Sequence, residues 1–147
     1  MPRVPMSDGD AKHLLETCDL LRVAFHDGTA PYLLPLGCVW HDGALYGVTD
    51  SGRKTEIASE NSRVAFQTDT SRQTGLFEWE SVTGEGRFEL VTEPTEIGQA
   101  MAKLQPFVAS APDWWREEQA PKMAAGELLV WRIRPGTVTG VRYVRPT

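Results

Sequence analysis

The period of the hydrophobic pattern changes several times along the chain. Ser7, with Asp10 three residues on, is a capping-box pattern, and Leu14, Leu15 and Cys18 then share one side at helical spacing. From residue 20 the period becomes two. Leu21, Val23 and Phe25 alternate with Arg22, Ala24 and His26, which predicts a half-buried strand. Asp27-Gly28 signals a hairpin turn, Tyr32 to Trp40 reads as a mostly apolar strand, and His41-Asp42-Gly43 turns the chain into another strand, Ala44 to Thr49. A short helix is predicted over Gly52 to Glu60 with Asn61 as its stop, then a strand over Arg63 to Thr68 and a loop over 69–75.

Phe77 to Val91 is long for one strand, and its apolar phase shifts from odd (Phe77, Trp79) to even (Val82, Phe88, Leu90). Such a shift beside Gly84 and Gly86 predicts a β-bulge, which bends a strand as the corner of a small barrel demands. Ile97, Ala100, Met101, Leu104 and Val108 form the one strongly amphipathic helical stripe, over about Pro94 to Val108, and read as core packing. Ser110 with Asp113 suggests a second cap and a short helix over Pro112 to Gln119. Leu128 to Ile133 and Val138 to Val144 close the chain as strands joined at Pro135-Gly136. No repeat of twenty to fifty residues is visible. The expectation is one domain over residues 1–147, mainly antiparallel β, with six or seven strands closed into a barrel or split barrel.

Composition narrows the function. The chain has 147 residues, with 15 Lys/Arg against 20 Asp/Glu and a formal charge of −5. No apolar run approaches the roughly 20 residues of a membrane helix, and residues 1–10 lack the apolar stretch of a signal peptide. An acidic chain without a basic tract is a poor nucleic-acid binder. Two cysteines, Cys18 and Cys38, build no disulfide framework and are expected to be reduced in a cytoplasmic protein. Residues 78–96 carry six glutamates and one arginine, whereas 131–147 carry four arginines and no acid. Two solvated strand faces paired across a sheet or subunit boundary explain this better than a basic stripe for an anionic ligand.

Thr49-Asp50-Ser51-Gly52-Arg53-Lys54 carries the strongest chemical signal. Helix N-termini usually place Asp or Glu in the first turn, but this one places two cations there, against the dipole. An anion at that turn removes the conflict: Gly52 permits close backbone approach, Ser51 offers a hydroxyl, Arg53 forks onto phosphate oxygens and Lys54 adds a point charge. A solvated turn with two surface cations is the bland alternative.

Several segments in this order resemble the FMN-binding split-barrel family of pyridoxamine 5'-phosphate oxidase-like proteins, in particular the short branch related to nitroimidazole-resistance proteins. They are Arg22-Val23-Ala24-Phe25, Ala30 to Leu36, Gly43-Ala44-Leu45-Tyr46, Ser51 to Lys54, Asn61 to Phe66 and Ser81 to Gly86, spanning about residues 10–108. The resemblance implies a six-stranded antiparallel split β-barrel with a few short helices, working as a homodimer with FMN in a groove between subunits. It also implies that Ser51, Arg53 and Lys54 hold the FMN phosphate. The backbone of Pro35, Leu36, Gly37, Cys38, Val39 and Trp40 would line the isoalloxazine, and Thr49 would add a hydrogen bond.

The chain departs from that pattern in three places. Pro35 and Trp40 stand where pyridoxamine phosphate oxidases carry Arg and Lys, and Trp79 stands at about the place of a Gln near the ring, either stacking on the flavin or filling the core. Trp131-Arg132-Ile133-Arg134-Pro135 lacks their Arg-x-His pattern for the vitamin phosphate. Pyridoxamine phosphate oxidation is therefore disfavoured. The implied function is a cytoplasmic FMN-dependent oxidoreductase acting on a small-molecule substrate or electron donor, with no side chain identified as catalytic. A haem- or deazaflavin-binding barrel, a non-enzymatic flavin carrier and an interaction module with an empty groove are the alternatives.

Cys38-x-x-His41 has metal-ligand spacing, but no second pair completes a four-ligand set, so no metal site is assigned. His26 and His41 read as residues flanking hairpin turns, with axial haem ligation as the sharper alternative. Trp114-Trp115 reads as a cover over the barrel or dimer seam rather than a recognition pair.

Overall fold

The computed structural model describes residues 3–146. The elements in chain order are β1 (Arg3–Pro5), α1 (Asp8–Thr17), β2 (Leu20–His26), β3 (Pro31–Gly37), β4 (Val39–His41), β5 (Ala44–Thr49), α2 (Arg53–Glu60), β6 (Arg63–Asp69), α3 (Ser71–Thr74), β7 (Trp79–Leu90), α4 (Pro94–Ala109), α5 (Asp113–Ala124), β8 (Leu129–Ile133) and β9 (Val138–Tyr143). Among the described residues all strand pairings are antiparallel, in the order β3-β2-β6-β7-β8-β5-β4, with β9 on β7 and β1 on β9. The order begins with β3 and ends with β4, which are consecutive in sequence. The sheet therefore curls until its two edges meet at Cys38 without pairing, and this seam splits the barrel. The fold is mainly β, as expected; nine strands stand where six or seven were expected, because the three-residue β1 and β4 join the seven longer ones.

Local chemistry sets most boundaries. Ser7 Oγ accepts from Asp10 N at 3.1 Å and opens α1. Asp42 (φ 47°) and Gly43 (φ 79°) take the left-handed turn that two-residue hairpins require between β4 and β5. Asn61 N–H donates to Ile57 O at 2.8 Å and ends α2.

Four expectations need correction. Residues 71–74 form one helical turn rather than loop, held by Asp69 Oδ1, which accepts from Ser71 N at 2.9 Å. The apolar strand expected over Tyr32 to Trp40 breaks at Cys38, whose N–H donates sideways to Asp19 O at 3.1 Å. Ser110 does not cap α5: it ends α4, its hydroxyl donating to Phe107 O at 2.9 Å, and Pro112 stands at the α5 N-cap. Finally, β7 pairs one-for-one with β6 from Ser81↔Asp69 to Arg87↔Arg63, so that pairing carries no bulge. Phe77 precedes the strand and is exposed, and so has no bearing on its phase. The bend comes from glycine instead. A Cβ on Gly84 would lie 2.7 Å from Phe66 Cζ, and one on Gly86 would lie 2.8 Å from Ile133 Cγ2. Their absence lets β7 leave β9 at Gly84 and take up β8 at Phe88.

The barrel interior is filled by Leu21, Val23, Phe25, Val82, Phe88, Trp131 and Ile133, all at most 2% exposed. Burying each large side chain stabilises the fold by about 1.5–3 kcal/mol. A smaller cluster, Ala44, Tyr46, Val91, Ala100 and Val130, lies under α4, so β5 is covered on both faces. The α4 stripe packs as its sequence predicts, with Ala100 and Leu104 buried. No helix among the described residues is long and apolar enough to cross a membrane.

Candidate functional site

The chain leaves the barrel at Thr49, the buried last residue of β5, whose hydroxyl donates to Asp50 O at 2.9 Å. Asp50 is taken up by Lys122 of α5, Nζ to Oδ2 2.8 Å, and so does not neutralise the turn that follows. Gly52 is the N-cap of α2 and supplies no side-chain acceptor. Its N–H donates to Thr55 Oγ1, which donates back to Gly52 O, both at 2.9 Å. A Cβ placed on Gly52 would meet nothing within 4 Å, so the cap faces open space.

Ser51 and Arg53 are exposed and Lys54 is half-buried. The Arg53 guanidinium lies over the Tyr32 ring, 4.4 Å from its centroid. Neither Arg53 nor Lys54 has a carboxylate partner among the described residues. The nearby Asp27 carboxyl is held below its ordinary range mainly by the N–H groups of Ala30 and Thr29, with a smaller contribution from Arg53. An N-terminus without a side-chain cap, a hydroxyl and two cations without a carboxylate partner among the described residues form a candidate anion cradle.

Residues 35–40 run along the barrel seam. Pro35 and Gly37 face outward, Leu36 and Cys38 are buried, and Val39 and Trp40 are half-buried. Among the described residues β3 pairs only with β2, so its other edge offers free backbone groups. Pro31 and Pro35 suit such an edge because they donate no N–H. The seam is narrow: a Cβ on Gly47 would lie 2.6 Å from Gly37 O.

Trp79 is not brought to this cradle within the chain. It stacks on Tyr143 with ring centroids 4.1 Å apart and donates from Nε1 to Leu76 O at 3.1 Å. This position adjoins the Leu20 end of the sheet, whereas Arg53 lies on Tyr32 near the His26 end. Trp79 belongs to neither core cluster.

Sequence reasoning missed a groove of about 560 Å³ on the outer sheet face. Its floor is made by small outward residues, Ala24, Ala65, Thr83 and Thr139, with Leu33 and Arg22 on its walls. Small residues at the outward positions of four adjacent strands were its only signal. Also missed was Tyr32 beneath Arg53, a contact between residues 21 positions apart that no local pattern encodes.

The acidic and basic blocks pair across the sheet, as their bland reading expects. Arg142 meets Glu80 at 2.7 Å and Arg145 meets Glu78 at 3.1 Å. Arg132 Nη1 meets the Glu96 carboxylate at 2.6 Å, and Tyr46 OH donates to the same oxygen at 2.6 Å. Tyr46 and then Arg132 hold the Glu96 carboxyl below its ordinary value, while burial pushes the Tyr46 phenol up. His26 Nδ1 accepts from Gly28 N at 3.0 Å within its turn, and His41 stands 3.4 Å from Gln99 Oε1. Among the described residues no three His, Cys, Asp or Glu side chains converge as a metal site. Trp115 packs edge-on against Phe107, whereas Trp114 is 65% exposed, so only one of the pair acts as a cover within the chain.

A curled antiparallel sheet split at β3 and β4, with an anion cradle opening beside β3, defines a split-barrel protein. The family model for pyridoxamine 5'-phosphate oxidase matches residues 7–142, and the chain belongs to that family. An FAD-binding protein from Mesorhizobium loti is 25% identical, with a TM-score of 0.80 over 98% of this chain and 100% of its own. A putative 5-nitroimidazole antibiotic resistance protein from Bacteroides thetaiotaomicron is 16% identical, with a TM-score of 0.72 over 96% of this chain and 87% of its own. An FAD and heme binding protein from Mycobacterium smegmatis is 19% identical, with a TM-score of 0.67 over 99% of this chain and 75% of its own. The likeness to the latter two is one of fold. A search of curated proteins finds no match.

Proposed function

We propose that this chain binds FMN as a homodimer and serves as an oxidoreductase for a small molecule. The observation that carries the reading is the α2 N-terminus: Ser51, Arg53 and Lys54 flank an open cap in sequence, and neither cation has a carboxylate partner among the described residues. These residues fit a terminal phosphate, which takes charge-assisted hydrogen bonds from Arg and Lys and a neutral one from the Ser hydroxyl. The free edge of β3 fits a flat ring with polar margins, and Thr49 stands between the two. FMN when bound supplies the electron-transfer chemistry. The chain's own residues then anchor the phosphate, present backbone donors and acceptors along residues 35–40, and cover one side of the site. Trp79 reaches the ring of such a site from a second copy, which fits a dimer formed over the outer groove, where Leu33 is 66% exposed. FAD is the second reading, favoured by the description of the Mesorhizobium loti protein as FAD-binding.

The test is the visible spectrum of freshly purified protein, followed by fluorescence titration with FMN and with FAD. Wild type should bind FMN, and chromatography of the released flavin identifies the native form. Each charge-assisted contact contributes about 1.5–3 kcal/mol, so Arg53→Ala/Lys54→Ala should weaken FMN binding by about two orders of magnitude or more, with the far-UV spectrum unchanged. A wild type that is colourless and binds neither flavin overturns the proposal. Tight FAD binding with weak FMN binding moves it to the second reading. Flavin-dependent oxidation of NAD(P)H with a small acceptor separates an enzyme from a carrier.

A further inference from the structure

Cys18 and Cys38 are both free, and their sulfurs are 3.6 Å apart. They are the chain's two cysteines, 20 positions apart, and no other role argued above uses their thiols. Cys18 is the C-cap of α1, between helix and β2, while Cys38 is the residue at which β3 breaks into β4. Neither lies within a strand ladder, so each can shift without breaking sheet pairing. The backbones are already tied, since Cys38 N–H donates to Asp19 O at 3.1 Å. Sulfur contact has to close from 3.6 Å to the about 2.05 Å of a disulfide, a movement two such junctions can absorb. The two thiols differ in access. Cys38 is 3% exposed, whereas Cys18 is half-buried and lines a crevice of about 290 Å³ with Arg22, Thr68, Asp69 and Arg72.

We propose that Cys18 and Cys38 form a redox-active dithiol that hydrogen peroxide oxidises to an intrachain disulfide, with Cys18 as the attacking thiol and Cys38 as the resolving one. The Cys18 thiolate attacks one peroxide oxygen. An S–O bond forms, the O–O bond breaks, and the departing hydroxide takes a proton to leave as water. The Cys38 sulfur then displaces the hydroxyl from Cys18; the S–S bond forms, the S–O bond breaks, and the Cys38 proton leaves with the second water. Two thiols lose two electrons in total and the peroxide gains them. The order of attack follows from the contact itself. Hydrogen bonding from Cys38 lowers the Cys18 pKa against its burial, while the same contact and burial push Cys38 up. The resulting disulfide would close a loop around the whole β2–β3 hairpin and fasten α1 to the barrel seam. This inference does not rest on flavin binding.

The experiment treats the reduced full-length protein with a small excess of hydrogen peroxide, followed by intact mass and non-reducing peptide mapping. The expected result is a mass loss of about 2 Da, a fall from two titratable thiols to none, and one linked peptide pair joining Cys18 to Cys38 within a single chain. Dithiothreitol should restore both thiols. Cys38→Ser should stop at a sulfenic acid on Cys18 that dimedone traps, and Cys18→Ser should leave Cys38 unreacted. If a variant fails to fold, the wild-type peptide map decides alone. Oxygen addition without a cross-link, cross-links only between chains, or two unaltered thiols each overturn the proposal.

Discussion

Glu96 offers a direct test of how the helical layer is fastened to the barrel. Its carboxylate, in the first turn of α4, accepts from Tyr46 OH of β5 at 2.6 Å and from Arg132 Nη1 of β8 at 2.8 and 2.6 Å. The Glu96 and Arg132 side chains are 20% and 19% exposed, between a surface pair and a buried one. A hydrogen bond to a charged group contributes about 1.5–3 kcal/mol, and a buried hydroxyl left without an acceptor costs about 1–3 kcal/mol. The first-turn carboxylate adds about 0.3–1 kcal/mol through the helix dipole. These contributions overlap, and Arg132 keeps Glu89 at 3.6 Å after Glu96 is lost. Glu96→Ala should therefore cost about 3 kcal/mol, and Glu96→Gln, whose amide oxygen still accepts from Tyr46, about 2 kcal/mol. Urea unfolding should show a lower midpoint at unchanged slope. A double-mutant cycle with Tyr46→Phe should give a coupling of at least about 1 kcal/mol. A loss below about 0.5 kcal/mol for Glu96→Ala, the size of an exposed pair, would refute the reasoning.

Three further outcomes follow from the same geometry. Gly47→Ala puts a Cβ 2.5 Å from Trp131 Cζ2 and 2.6 Å from Gly37 O, so it should destabilise by about 2 kcal/mol or more in a thermal melt, and a stability within error of wild type would contradict the narrow seam. Tyr46 and Arg132 hold the Glu96 carboxyl below its ordinary 4.5, so its contribution is present above that value and lost as pH falls through the lower folded value. Acid titration of stability should accordingly be shallower in Glu96→Gln than in wild type. Leu33→Glu places a charge in the outer groove, and should convert a dimer to monomer by analytical ultracentrifugation while changing monomer stability by no more than about 0.5 kcal/mol; an unchanged sedimentation profile counts against the groove as the dimer face.

What was legible in the sequence is what neighbouring residues decide. The Ser7 cap, the Asp42-Gly43 turn, the Asn61 stop and the Ile97-to-Val108 stripe each depend on contacts a few residues long, and each stands where its pattern puts it. The errors have two sources. Ser110 has the spacing of an α5 cap, but α4 reaches it first through a local bond to Phe107 O, whereas elsewhere a nonlocal contact competes. Gly84 and Gly86 look like bulge markers, yet their real constraint is Phe66 and Ile133, which come from other strands. The candidate site divides the same way. The α2 cradle lies within six residues and was readable, whereas Tyr32 beneath Arg53, the groove floor and the Cys18–Cys38 contact exist only once the sheet has curled.

The distribution of ion pairs explains why that cradle stands out. Ten of the 15 lysines and arginines stand within 4.0 Å of a carboxylate. In a chain with 20 acids, leaving a cation unmatched is not forced by any shortage of partners. At the α2 N-terminus two adjacent cations are unmatched together, and the neighbouring acid, Asp50, is turned instead to Lys122 at 2.8 Å. Asp27, also close to Arg53, has its carboxylate engaged by Thr29 and Ala30 N–H at 2.8 Å each. Both of these acids are thus committed elsewhere, and Glu56, in the first turn of α2, forms no ion pair with either cation among the described residues. The outer groove of about 560 Å³ has a small and mostly apolar floor that lacks any such concentration of charge. Under the proposed function the cradle and the groove would be complementary halves of one arrangement: the first would select an anion, and the second would supply the surface over which another copy completes the site.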